Sequence, residues 1–397
     1  MNLAHLKELH ILALEEAKKY VKNRFAYTKL QKDKGRHFLG IIGPRGVGKT
    51  ILLKQFALEH ADSFYLSTDT LLDEDLFEVV KQLKETLNVT TVLIDEIHFY
   101  QDFARALKKI YDFLPVKLIF TSSASLALHQ SSLDLSRRVK FQYLYPFTFR
   151  EYVFFKKDTL LPALSLNQIL NKEWSREHLL HDYLLPQYLR GDLMPFSLEE
   201  ADIFPLLKNI LQKILYSDLP AIHDLRASEI SSIEKMIRFI SRSEVDGINY
   251  TSLSKNLGIT KYKAELYVRL LQQAFVLNVV WPTGTNVLRE PKILMYLPYR
   301  LLFRDFEEAI GGIREDFAVE MLRSADYSCY YLKSTRGQKT PDYLVETPEG
   351  DFVIEIGGKG KGRQQFKGIK VDRKLIFSHS PEVSDLKRPL VLLGYLK

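Results

Sequence analysis

The stretch "HFLGIIGPRGVGKTILLKQFALEH" constrains this chain more than any other. An apolar run, Phe38 to Ile42, meets Gly43, Gly46, Gly48, Lys49 and Thr50, and a helical pattern follows at once, giving GxxxxGK[ST] in a strand-loop-helix setting. Glycines at those places let backbone N–H groups turn inward around a phosphate, and the following helix aims its positive dipole end at the same charge. The loop Gly43, Pro44, Arg45, Gly46, Val47, Gly48, Lys49 and Thr50 is therefore expected to cradle a nucleotide. Lys49 would reach the β- and γ-phosphates, and the Thr50 hydroxyl would ligate Mg²⁺.

The other half of such a site is a strand ending in a carboxylate, and "TVLIDEIH" supplies one. Asp95 is expected to hold the Mg²⁺ shell, and Glu96 to orient and deprotonate an attacking water. A third apolar strand, "KLIFTSSAS", ends in hydroxyls, so Thr121, Ser122 or Ser123 could reach the γ-phosphate. Farther on, "SLDLSRRVKFQYLYPFTFREY" sets Arg137 and Arg138 just before another strand.

Taken in order, "GPRGVGKT", "LIDEIH", "LKKIYD", "FTSSAS", "SRRV" and "YPFTFREY" resemble the AAA+-type ATPases of bacteria and archaea that are fused to a C-terminal restriction-endonuclease-like domain. The resemblance covers nearly the whole chain. It implies an α/β fold with a parallel sheet and helices on both faces, ATP with Mg²⁺ as cofactors, Ser123 in the sensor position, and Arg138 as the arginine-finger candidate. In that family the finger often acts on a neighbouring subunit, which implies a homo-oligomer. Where the family has glycines in its third and fourth patterns, this chain has Ser122 and Arg137.

At 397 residues the chain exceeds what one core serves, and 46% hydrophobic residues leave material for several. The expected division is an ATPase core over 1–153, a helical lid over 154–226, a winged helix over 227–290 and a restriction-endonuclease-like domain over 291–397. Cys329 is the sole cysteine, which excludes an intramolecular disulfide and any multi-cysteine metal centre and points to the cytoplasm. The start, "MNLAHLKELHILALEEAKKY", has helical spacing rather than the form of a signal, and no run is long enough to span a membrane.

A net charge of +7 is mild for this length and does not by itself indicate nucleic acid. Much of it lies between Lys359 and Lys374, where seven residues are basic and one is acidic. The region "SSIEKMIRFISRSEVDGINYTSLSKNLGITKYKAELYVRLLQQAFVLNVV" reads as three helices with Thr251 as a cap, a tight Gly258-Ile259-Thr260 turn, and a strand pair around Pro282 and Gly284. In a winged helix, Lys261, Tyr262, Lys263 and Arg269 could face a DNA groove.

"TPDYLVETPEGDFVIEIGGKGK" reads as a hairpin of strands 342–346 and 351–356. With 347–350 as the loop, Asp342 lies opposite Glu355, where two like charges about 5 Å apart repel and a divalent cation would relieve them. This is similar to the PD-(D/E)xK nuclease core, in which Glu315 of "GGIREDFAVEML" completes the acidic set. That pattern needs a lysine where this chain has Gly357, and Lys359 starts roughly 6.6 Å farther along an extended strand. The expected function is ATP binding and Mg²⁺-dependent hydrolysis that rearranges the later domains, acting on nucleic acid without cutting it. Two alternatives stand beside it: an ATP-regulated metal-dependent DNA endonuclease and a nucleotide-switched module that binds a protein partner.

Overall fold

A computed structural model of the chain describes residues 3–71, 74–123, 135–245, 247–284, 290–332, 340–357 and 363–397. These residues fall into two compact units, Met1–Pro146 and Phe147–Lys397.

In the first unit the elements run α1 (Leu3–Ala17), α2 (Phe25–Lys32), β1 (Phe38–Ile42), α3 (Lys49–Glu59), β2 (Ser63–Ser67), α4 (Leu76–Leu87), β3 (Thr91–Asp95), α5 (Phe103–Phe113), β4 (Lys117–Ser122) and β5 (Val139–Tyr143). The strands form one parallel sheet in the order β2-β3-β4-β1-β5. All five residues of β1 are buried, as are Val92 to Asp95 of β3 and Leu118 to Ser122 of β4. Helices cover both faces of such a sheet, so its central strands read as unbroken apolar runs rather than as alternating ones. Helix α4 presents Leu76, Val79, Val80 and Leu83 to the core at helical spacing, and Asp75 caps it by accepting from the Phe77 N–H.

The second unit begins with helical structure. Helix α6 (Phe149–Lys157) is capped by Thr148, and α7 (Phe204–Lys213) lies beyond a series of short turns of helix. Three helices follow, α8 (Ala227–Arg242), α9 (Tyr250–Leu257) and α10 (Lys261–Gln273), and then the antiparallel pair β6 (Leu277–Val280) and β7 (Lys292–Met295). Gly258 closes α9 with a left-handed φ of 64°, which allows the tight turn into α10. The cap of α9 is Asn249, whose side chain accepts from the Ser252 N–H, and not Thr251. Thr251 sits inside the first turn and gives both its N–H and its hydroxyl to Glu290. The strand pair flanks Pro282 and Gly284.

Helix α11 (Phe306–Ser324) then packs on a mixed sheet of β8 (Ser328–Tyr331), β9 (Tyr343–Glu346), β10 (Phe352–Gly357), β11 (Arg373–Ser378) and β12 (Lys387–Pro389), in the order β12-β11-β10-β9-β8. Asp316 of α11 is fully buried. It makes a bidentate pair with Arg300, Nε at 2.6 Å and Nη2 at 3.0 Å, and accepts from the Met295 N–H at 3.0 Å, which ties the helix to β7. Among the described residues no helix is long and apolar enough to cross a membrane.

Candidate functional site

Parallel strands deliver their carboxyl ends to one edge of a sheet, and loops at that edge meet. Here that edge carries the loop after β1, the two acids at the end of β3 and the hydroxyls at the end of β4. The loop depends on glycine at three places. Gly46 and Gly48 have φ of 81° and 86°, and a Cβ on Gly43 would lie 2.0 Å from the Leu144 carbonyl oxygen. Helix α3 starts directly after Gly48, so its N-terminus faces the loop.

Lys49 is buried and folds back on its own loop, where Nζ donates to the Gly43 carbonyl at 2.9 Å and the Pro44 carbonyl at 2.8 Å. Arg24, on the segment before α2, braces the outside: it donates to the carbonyl of Val47 at 2.5 Å and of Tyr145 at 2.8 Å. Nothing in the spacing of the sequence marks Arg24, because its partners are backbone carbonyls far along the chain.

Asp95 is buried and held on both oxygens. Thr121 Oγ1 lies 2.5 Å from Oδ1, and the Tyr65 hydroxyl donates to Oδ2 at 3.0 Å. Thr68 Oγ1 reaches the carbonyls of Asp95 and Glu96 at 3.1 and 2.8 Å. Glu96 itself has a left-handed backbone, with φ of 51°. Its carboxylate accepts from the Ser123 N–H and hydroxyl, both at 3.0 Å, and lies 3.1 Å from His98 Nδ1. That nitrogen is also 3.1 Å from Ser122 Oγ. Burial pushes the Glu96 carboxyl up, but Lys49, His98, the Ser123 N–H and Arg45 outweigh it and hold the group below the ordinary carboxylate range. The three hydroxyls at the end of β4 meet both acids: Thr121 serves the Asp95 carboxylate and accepts from the Glu96 N–H, Ser123 serves the Glu96 carboxylate, and Ser122 meets His98.

This donor set suits a nucleotide with Mg²⁺: an amide-lined loop at a helix N-terminus, a lysine, a hydroxyl at Thr50 and an anchored carboxylate at Asp95. Arg138 stands elsewhere. It precedes β5, and its carbonyl accepts from the Phe38 N–H at the start of β1, whereas the loop follows the end of that strand. Five residues at about 3.3 Å each put it roughly 16 Å from its own loop. Its guanidinium pairs with Asp112 through Nε and Nη2, each at 3.1 Å.

A second set of polar residues lies in the second unit. The β9–β10 register pairs Val345 with Phe352 and Tyr343 with Ile354, and one more step places Asp342 opposite Glu355. Asp342 Oδ2 accepts from the Ile356 N–H at 2.7 Å. Burial, Glu315 and Glu355 push the Asp342 carboxyl up to about 8, against the opposing effect of Lys292 and the Ile356 N–H. Glu315, on α11, receives Lys292 Nζ at 2.6 Å and the Tyr343 hydroxyl at 2.6 Å on the same oxygen. Among the described residues, no group of three or more acids, histidines or cysteines is placed so that it could hold a metal ion. Lys359 lies outside the described residues. Lys292 comes from β7, in a different sheet, and no spacing in the sequence marks it.

The loop, the lysine and the two acids stand together at the carboxyl edge of the parallel sheet, an arrangement similar to a P-loop nucleotide site. Residues 35–153 match the family model described as an AAA domain, and residues 192–296 match a domain of unknown function, DUF8612. The uncharacterized protein MJ1637 of Methanocaldococcus jannaschii is 26% identical over 396 residues, spanning 90% of this chain and 81% of that protein. Among solved structures, the RuvB Holliday junction branch migration motor of Thermotoga maritima is 18% identical, over 70% of this chain and 89% of that one, with a TM-score of 0.28. A katanin self-assembly structure is 17% identical over 42% and 61%, with a TM-score of 0.23. At these TM-scores neither structural likeness bears on the fold or activity of this chain.

Proposed function

We propose that this protein binds ATP and hydrolyses it with Mg²⁺, and that turnover rearranges the C-terminal unit on a bound nucleic acid that is not cut. One observation carries the reading: two adjacent acids at the mouth of the loop are held in different ways. Asp95 is clamped on both oxygens, as a group that must stay in place, while Glu96 rests on Ser123 and His98.

Lys49, now bonded to its own loop, would exchange those carbonyls for the β- and γ-phosphate oxygens. Thr50 and Asp95 would hold Mg²⁺, which when bound neutralises charge on the transferred phosphoryl group. Glu96 stays ionised because of the cations around it, so it can orient a water and take its proton. Ser123 would set the position of that carboxylate. Arg138 cannot reach the phosphates of its own chain over roughly 16 Å, so a finger role for it requires a second copy. Loss of ATP turnover on Lys49→Ala, in a chain that still folds, tests the assignment; retained full activity would sink it.

The division into core over 1–153, lid over 154–226, winged helix over 227–290 and nuclease-like domain over 291–397 belongs to the same proposal. Support for nucleic acid comes from the three helices and strand pair of α8 to β7, with Tyr262 exposed at the start of α10, and from the basic residues between Lys367 and Lys374. Lys261 and Lys263 pair with Glu290 and Glu229. A steep fall of DNA affinity with salt is the expected signature of backbone contact, and absence of binding at low salt would remove nucleic acid from the account.

A further inference from the structure

Two carboxylates that face each other across an antiparallel pair repel, and burial in the interior raises the cost. Asp342 and Glu355 are in that relation, and Glu315 adds a third acid to their surroundings. A cation lowers that cost. The described structure contains one in place: Lys292, whose side chain is only 9% exposed and whose Nζ lies 2.6 Å from Glu315 Oε2. The Tyr343 hydroxyl donates to the same oxygen at 2.6 Å, and the Tyr343 ring centroid lies 5.3 Å from the ammonium.

We infer that Lys292 is the resident cation of this acidic cluster, and that it closes the cluster to a divalent metal. A Mg²⁺ or Mn²⁺ ion needs several carboxylate or water oxygens at close to 2 Å around one point. Glu315 Oε2 already receives two donors, Asp342 Oδ2 receives the Ile356 N–H, and the acids are not grouped around a common point. Access is not the obstacle. Lys292 and Asp342 line an open cleft of about 890 Å³ whose walls also include Thr251, Ser252 and Lys255 of α9. An ion arriving through that cleft would have to displace a buried, hydrogen-bonded ammonium. The inference concerns a separate site and stands whether or not the chain hydrolyses ATP.

Mn²⁺ binding to the full-length, nucleotide-free chain tests it, measured by isothermal titration for wild type, Glu355→Gln, Lys292→Met and the Lys292→Met/Glu355→Gln double variant. Wild type and Glu355→Gln should bind the same amount of Mn²⁺. Lys292→Met should gain a site that the double variant loses, and Lys292→Arg, which keeps the charge, should gain none. If Lys292→Met does not fold, Lys292→Gln takes its place in both the single and the double variant. A Glu355-dependent Mn²⁺ site in wild type overturns the inference, as does a folded Lys292→Met chain that gains nothing. Glu355-dependent cutting of DNA by wild type that Lys292→Met abolishes would instead make the lysine part of a working nuclease site.

Discussion

Thr121 Oγ1 stands 2.5 Å from Asp95 Oδ1 and receives the Glu96 N–H at 2.9 Å, so a single hydroxyl on β4 fixes both acids at the end of β3. Valine has the same shape without the hydrogen bonds. Thr121→Val should therefore lower phosphate release from ATP by roughly tenfold, the kinetic equivalent of about 1.4 kcal/mol, and Thr121→Ser should recover most of it. Steady-state kinetics on the three chains checks this, and an unimpaired valine variant would show that Asp95 needs no such anchor.

His98 acts on the other acid. Its Nδ1 lies 3.1 Å from the Glu96 carboxylate, which also accepts from the Ser123 hydroxyl at 3.0 Å. We predict that His98→Ala lowers kcat several-fold and leaves the ATP dissociation constant unchanged, since the ring sits against the Glu96 carboxylate and the Ser122 hydroxyl. A variant that loses ATP affinity and keeps kcat would assign His98 to nucleotide binding instead.

How much of this was readable beforehand follows from where the signals are local. The loop from Gly43 to Thr50, the acids Asp95 and Glu96 and the strand from Lys117 are short runs whose chemistry and context sit together in the sequence, and the sheet places them at one edge. The β9–β10 register was legible for the same reason, because a four-residue loop between two strands sets the pairing by counting. Arg24, Tyr65 and Lys292 were not legible. Each reaches its partner across the tertiary fold, and a lone arginine, tyrosine or lysine carries no spacing signal. Thr251 is a residue type that caps helices, yet Asn249 takes the cap by pairing with Ser252 in a reciprocal box.

Glu320 makes the stability of the second unit depend on pH. It is fully buried on α11, accepts from the Leu297 N–H at 3.1 Å, and burial pushes its carboxyl up to about 8 from an ordinary value of 4.5. A folded value above the unfolded one means that the folded state holds the proton more tightly. The resulting stability is complete below about 4.5 and is lost as pH rises toward 8. Glu320→Gln should flatten that part of the profile, which urea melts at pH 5, 6.5 and 8 will show; an unchanged slope would clear Glu320 of the effect.

Arg138 lies at the amino end of β5, paired with Asp112, while the loop lies at the carboxyl end of β1. If it completes the site of a second copy, Arg138→Ala and Lys49→Ala chains should each be inactive alone. Mixed together they should recover part of the ATP turnover, because one chain keeps the arginine and the other keeps the loop. No recovery on mixing, with both chains folded, would remove Arg138 from catalysis between copies.

Phosphate release from Mg²⁺-ATP by the full-length chain, beside Lys49→Ala and Glu96→Gln, bears most directly on the central claim. The account predicts steady turnover by wild type, none by Lys49→Ala, and a Glu96→Gln chain that binds ATP and retains it unhydrolysed. Turnover by Glu96→Gln at the wild-type rate, or by Lys49→Ala at any comparable rate, would contradict it.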